Sequence, residues 1–289
     1  MASSGTGEFK EWFKNQASGL LPELEAVARE AGSAIMQVYQ AQEAIQVETK
    51  VDDSPLTQAD RASHRIILER LAELTPDIPV LSEESVLPPF EERQGWHRYW
   101  LVDPLDGTKE FINRNGEFTV NIALIDQQVP VLGLVYVPVT QVLYGGVAGQ
   151  GAWRVEGAER RPIRARSLVP GEPLRVVASR RHGAEALQAL LDKAAARFAQ
   201  LELVNVGSSL KLCLLAEGEA DWYPRLAPTS EWDTAAAQAV LEAAGGILID
   251  EQGQPLRYNR QDSVLNPFFH GLADPAFDWA SVLGLPADH

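Results

Sequence analysis

Acidic side chains recur at four places where apolar segments end or helical ones begin. They are Asp60, the pair Glu83-Glu84, the run Asp103-Pro104-Leu105-Asp106-Gly107-Thr108, and Trp232-Asp233, the last leading into a stretch that stops at Gly245-Gly246. Carboxylates beside a Gly-Thr turn suit a hard divalent cation, and Mg2+ in particular is held by a few carboxylates with water and phosphate oxygens. A pair of such ions about 3.5–4 Å apart can stabilise both the attacking and the leaving oxygen of an in-line displacement. The chemistry these residue types suggest is therefore metal-assisted reaction at a phosphate.

Each fragment alone also has an ordinary reading. Asp60 is the third residue of a helix capped by Thr57, a capping-box position, and Asp233 stands in the same relation to Ser230. Glu83 and Glu84 are adjacent, so on a strand they point to opposite sides, and Glu83 is the one chosen for the site. Pro104 fixes the backbone where an apolar strand ends, so that Asp103, Asp106 and the Leu105 carbonyl can converge. Gly107-Thr108 opens a helix whose first N–H groups would receive an anion.

The elements that must position these groups follow from periodicity. Leu24, Val27, Ala28, Ala31, Ile35 and Val38 recur at helical spacing and predict a helix over 20–40. A second is predicted over 58–74. Short strands at 80–82, 99–102, 119–125, 132–137, 142–146 and 151–155, separated by turn residues, read as an antiparallel meander. The basic, Pro-bearing stretch 160–173 reads as a connector. Beyond it strands at 175–178, 203–206, 222–223 and 247–250 alternate with helices at 184–198, 209–217 and 233–244, an α/β pattern.

The 289 residues are 45% hydrophobic, enough for one large domain or two moderate ones. A formal net charge of -15 disfavours binding of a nucleic-acid polymer, whose backbone demands a basic surface. The one cysteine, Cys213, lies in an apolar stretch and reads as a buried core residue in a reducing compartment. The chain offers no apolar run of membrane-spanning length and no signal-peptide pattern at its start, so a cytoplasmic location is expected.

Taken together and in order, the four acidic fragments resemble the signature of the Mg2+-dependent, Li+-sensitive phosphatase family that includes inositol monophosphatases and 3'(2'),5'-bisphosphate nucleotidases. Within it, Lys109-Glu110-Phe111, the stretch 113–125, Val206-Gly207-Ser208-Ser209-Leu210-Lys211, Tyr223-Pro224-Arg225 and Leu265-Asn266-Pro267 are similar to the bacterial CysQ-type bisphosphate nucleotidases. The resemblance implies a layered αβαβα sandwich of the inositol monophosphatase and fructose-1,6-bisphosphatase type. It suggests an extension over 1–16, an N-terminal α+β domain over 17–165 with most metal ligands, and a C-terminal α/β domain over 166–289 with Asp233.

Carried over by position, the metal ligands are Glu83, Asp103, the Leu105 carbonyl, Asp106 and Asp233, holding two or three Mg2+ ions. Asp60 and Thr108 activate water. Gly107 and Thr108 face the scissile phosphate, and Ser208, Lys211 and Arg225, with His182, face a second one. The implied reaction is hydrolysis of the 3'-phosphate of adenosine 3',5'-bisphosphate, with 3'-phosphoadenylyl sulfate a second candidate. The alternative is an inositol or other sugar phosphatase on the same scaffold. Oligomeric state and peripheral association with the inner membrane stay open.

Overall fold

A computed structural model describes residues 5–41, 47–49, 55–178 and 184–284. In chain order the helices are α1 (Gly5–Gln40), α2 (Gln58–Leu74), α3 (Phe90–Arg93), α4 (Thr108–Ile112), α5 (Ala184–Ala195), α6 (Leu210–Ala216), α7 (Glu231–Ala243) and α8 (Ala280–Leu283). The strands are β1 (Val47–Thr49), β2 (Pro55–Thr57), β3 (Val80–Ser82), β4 (Arg98–Asp106), β5 (Thr119–Asp126), β6 (Val129–Val137), β7 (Val142–Val147), β8 (Gly151–Glu156), β9 (Glu159–Ile163), β10 (Leu174–Val177), β11 (Leu201–Val204), β12 (Trp222–Arg225), β13 (Ile247–Asp250) and β14 (Phe269–Leu272).

Two sheets organise the molecule. Seven strands run in the order β3-β4-β5-β6-β7-β8-β9, and five in the order β11-β10-β12-β14-β13. Strands β4 to β7 are buried at nearly every position because both faces of the large sheet are covered there. On β4 and β5, Trp100, Val102, Val120, Ile122 and Leu124 join α1 and α2 in one core. The alternate residues Tyr99, Leu101, Ala123 and Ile125 join α6 and α7 in another. The outer face of the second sheet, with Val176, Trp222 and Leu272, packs Leu191 of α5 and Val282 of α8. The layers are thus α1/α2, sheet, α6/α7, sheet, α5/α8, as the expected αβαβα sandwich requires.

Helix α7 is buried along most of its length because it lies between the sheets. It approaches so closely that a Cβ on Gly133 would run into the Ala236 carbonyl, and one on Gly146 would come within 2.6 Å of the Val240 Cα. Among the described residues no helix is long and apolar enough to cross a membrane. Cys213 is buried, as its apolar surroundings predict.

Several elements differ from the sequence expectation. The first helix begins at Gly5, not near residue 20, and Phe13 is buried against the core. β3 and β4 pair in parallel, so the antiparallel meander starts only at β4. β4 extends through Asp106 instead of ending at residue 102. Part of the expected connector is the edge strand β9, where Pro162 is tolerated because an edge need not donate on its outer side. β11 falls two residues earlier than expected, and β14 is an additional strand between β12 and β13.

Candidate active site

The end of β4 explains how two carboxylates three residues apart reach one region. On an even strand Asp103 and Asp106 would face opposite ways. Asp103 pairs with Asn121 and Asp106 with Thr119, so three steps on β4 oppose two on β5. That extra residue is a β-bulge, which re-aims the side chains beyond it. Pro104 lies inside the bulge, and its carbonyl accepts the Ser63 hydroxyl of α2 at 2.7 Å. The Asp103 Oδ1 accepts the Leu105 N–H at 3.0 Å.

Glu83 follows β3 directly, and its N–H donates to the Val102 carbonyl at 3.1 Å. Asp233 arrives from the first turn of α7, where its Oδ2 accepts the Ser230 N–H at 2.9 Å. That turn is anchored from behind, because Glu231 accepts the Asn259 N–H on both oxygens, at 2.9 and 3.0 Å. Ligand oxygens of Glu83, Asp103 and Asp233 all lie within 4.8 Å of one another. This cluster is a donor set that fits a hard divalent cation. Asp106 stands beside it and is not part of that tight group.

The electrostatics agree. Burial, and then the charges of Glu83, Asp106 and Asp233, hold the Asp103 carboxyl well above the usual carboxylate range. Burial followed by Asp106 and Glu83 does the same to Asp233. Burial pushes Asp106 up to about 6, less far because Lys211 and the Ser209 N–H oppose it. Clustered carboxylates of this kind resist joint ionisation, and a divalent cation among them reverses that cost.

Asp60 does two jobs at once. Its Oδ2 closes the capping box of α2, accepting the Thr57 N–H at 2.7 Å and the Thr57 hydroxyl at 2.6 Å. Its Oδ1 accepts the Thr108 hydroxyl at 3.2 Å. Gly107 makes that approach by taking a left-handed backbone, φ 93°, with a virtual Cβ 3.2 Å from the Glu117 carbonyl.

Asp106, Gly107 and Asp233 line a cavity of about 450 Å3 together with Ser208, Lys211 and Arg225. Lys211 is only 7% exposed, so it does not reach out along its helix to solvent; its Nζ donates to the Ser208 carbonyl at 3.0 Å. Burial lowers its pKa, with Asp106 opposing. Arg225 is braced by the carbonyls of Ala227 and Pro228, both at 3.1 Å. His182 lies outside the described residues. Asn121, Thr119, Ser209 and Glu117 also touch the site and were not singled out from the sequence. The available signal was the pair Thr119 and Asn121, two polar residues on one face of an otherwise apolar strand.

A sequence model of the Inositol monophosphatase family matches residues 18–276. The chain belongs to the inositol monophosphatase family. The 3'(2'),5'-bisphosphate nucleotidase CysQ of Escherichia coli (strain K12) is 52% identical over 250 residues, covering 86% of this chain and 98% of its own. The CysQ of Haemophilus influenzae is 37% identical over 264 residues, covering 91% of this chain and 96% of its own. The crystal structure of CysQ from Bacteroides thetaiotaomicron, 41% identical, superposes with a TM-score of 0.75 over 87% of this chain and 96% of that one. These likenesses agree with the five layers found here.

Proposed function

We propose that this chain is a Mg2+-dependent 3'(2'),5'-bisphosphate nucleotidase that hydrolyses the 3'-phosphate of adenosine 3',5'-bisphosphate to give AMP and phosphate. 3'-Phosphoadenylyl sulfate is a second substrate of the same form. The observation that carries this reading is one cavity that joins an acidic cluster to cationic side chains. Asp233 of the acidic cluster and its neighbour Asp106 line it, and Lys211 and Arg225 supply cationic groups in the same cavity. A ligand with two phosphates suits that polarity, and a volume of about 450 Å3 suits a nucleotide. The CysQ relatives named above support the same reading.

In this reading Glu83, Asp103, Asp106, Asp233 and the Leu105 carbonyl hold two or three Mg2+ ions, which when bound neutralise the charge of the reacting phosphate. The remaining chemistry falls to the chain. Thr108 takes a proton from the attacking water as it passes its own to Asp60 Oδ1, the oxygen it already contacts at 3.2 Å. Thr57, bound to Asp60 Oδ2, keeps Oδ1 aimed at Thr108. The water oxygen bonds to phosphorus and the bond to the ribose 3'-oxygen breaks; that oxygen takes a proton from solvent water, and Asp60 releases the proton it received to solvent. Little covalent help is needed, because positioning and charge neutralisation dominate phosphoryl transfer. Residues 17–165 would supply most ligands, and residues 166–289 would supply Asp233 and the second-phosphate contacts.

A substrate panel tests this directly. Adenosine 3',5'-bisphosphate, inositol 1-phosphate and fructose 1,6-bisphosphate are compared for phosphate release with Mg2+. The bisphosphate nucleotide should have the highest kcat/KM. A preference for inositol 1-phosphate would overturn the nucleotide assignment in favour of a sugar phosphatase on the same scaffold.

A further inference from the structure

Beneath the acidic cluster lies a second, neutral polar group that the reaction as described does not use. Thr119 and Asn121 project from β5 toward the site, and Ser209 reaches them from the start of α6. All three are buried, Thr119 at 0%, Asn121 at 1% and Ser209 at 5% exposed. Their polar atoms close a triangle. The Thr119 hydroxyl lies 3.0 Å from Asn121 Oδ1, the Ser209 hydroxyl 2.9 Å from the same oxygen, and the two hydroxyls 2.9 Å from each other. Buried polar groups are costly unless satisfied, so three of them gathered in a core layer call for an explanation.

Counting protons orients the group. Two hydroxyls bring two protons to three contacts, so at least one proton ends on Asn121 Oδ1 whichever way the hydroxyls turn. The Asn121 amide is thereby fixed with its NH2 facing the other way, 3.4 Å from Asp106 Oδ2. The same Oδ2 accepts the Ser209 N–H at 2.6 Å. Both donors fall on one oxygen of Asp106. Rotating the carboxylate would lose both, so its second oxygen, Oδ1, is held in a set direction. Asn121 also pairs across the sheet with Asp103, which puts it directly under the cluster.

We propose that Asn121, locked by Thr119 and Ser209, is a positioning residue that sets the Asp106 carboxylate for cation binding. Through Ser209 it makes that setting depend on the placement of α6. Helix α6 also carries Lys211, which donates to the Ser208 carbonyl and lines the cavity with it. The loop that receives the second phosphate and the carboxylate that receives the cation are therefore one hydrogen-bonded unit. This rests on the metal-dependent reading given above, but not on the identity of the nucleotide.

The test is Mn2+ binding to the substrate-free protein, followed by electron paramagnetic resonance of the free ion, alongside kcat and KM with Mg2+. The variants are Asn121→Ala, Ser209→Ala, Thr119→Val and Thr119→Ser. Removing a partner that orients a ligand costs about tenfold to a hundredfold in metal affinity. Asn121→Ala should lose that much Mn2+ affinity, and kcat should fall with little change in KM. Thr119→Val should lose less, and Thr119→Ser, which keeps the hydroxyl, should retain wild-type affinity. The Ser209 hydroxyl acts only through Asn121, so Ser209→Ala should cost nothing further in the Asn121→Ala background. Unchanged Mn2+ affinity in Asn121→Ala, or losses that multiply in the double variant, would overturn the proposal. Should Asn121→Ala fail to fold, the Thr119 pair decides by the same readout. A wild-type protein that binds Mn2+ but does not release phosphate from the nucleotide would sink the substrate assignment and leave this test standing.

Discussion

In the proposed reading, Lys211 and Arg225 meet the second phosphate, the group that distinguishes a bisphosphate from a monophosphate. A charge-assisted contact is worth about 1.5–3 kcal/mol, roughly tenfold to a hundredfold in affinity. Lys211→Ala and Arg225→Ala should each lower kcat/KM for adenosine 3',5'-bisphosphate by that factor while sparing 3'-AMP, which lacks the second phosphate. Equal losses on the two substrates would show that these residues act through the fold or the metal site. Asp233 bears on stability as well as rate. Held above its usual range by burial and by Asp106 and Glu83, its ionised form destabilises the metal-free protein. Asp233→Asn keeps an oxygen for the Ser230 N–H and removes the charge. The variant should be nearly inactive yet melt higher than wild type in EDTA, and Mg2+ should raise its Tm less than it raises that of wild type. A lower Tm in EDTA would show that the carboxylate is chiefly a helix cap.

At the level of elements, α7 transmits packing to chemistry. It carries Asp233 at its start and lies against Gly133 and Gly146 of the large sheet. Gly146→Ala would place a methyl against the Val240 Cα, and overpacking of this kind costs about 1–3 kcal/mol. Urea unfolding should show that loss, and half-saturation by Mg2+ should need more of the ion. Normal metal dependence with lowered stability would separate α7 packing from Asp233 placement. The same elements show what a sequence can reveal. The capping boxes at Thr57-Asp60 and Ser230-Asp233 were legible because they are local and depend on spacing alone. The strands β4 to β8 were legible from their apolar runs and turn residues. The bulge between Asp103 and Asp106 was not, since it exists only in the pairing with β5. β14 was hidden because its character comes from lying between two strands, and β9 because its arginines and Pro162 imitate a connector. The start of α1 was obscured by Gly19 and Pro22, ordinary helix punctuation that the buried Phe13 and Leu20 outweigh.

The five-layer architecture dries out groups that would be wet in a thinner protein, and the response of the whole molecule to pH records it. His270 on β14 is hydrogen-bonded between the flanking strands β12 and β13, with its Nδ1 3.4 Å from the Trp222 indole N–H. Burial lowers its pKa to about 4. In the unfolded chain a histidine titrates at about 6.5. Between those values the unfolded state binds more protons, so stability rises with pH across the window and is lost as pH falls from 6.5 toward 4. The full difference is about 3 kcal/mol, and about 2 kcal/mol of it should be gone at pH 5. His270→Gln does not titrate and keeps an acceptor for Trp222. Urea unfolding in EDTA at pH 7, 6 and 5 should show wild-type stability falling faster than that of the variant, by about 2 kcal/mol at pH 5 relative to pH 7. The comparison isolates one group in a molecule of net charge -15, because the carboxylates titrate alike in both proteins. Parallel stability curves would mean that His270 is hydrated or protonated in the folded state, and that the second sheet is less tightly sealed between its helices than its packing indicates.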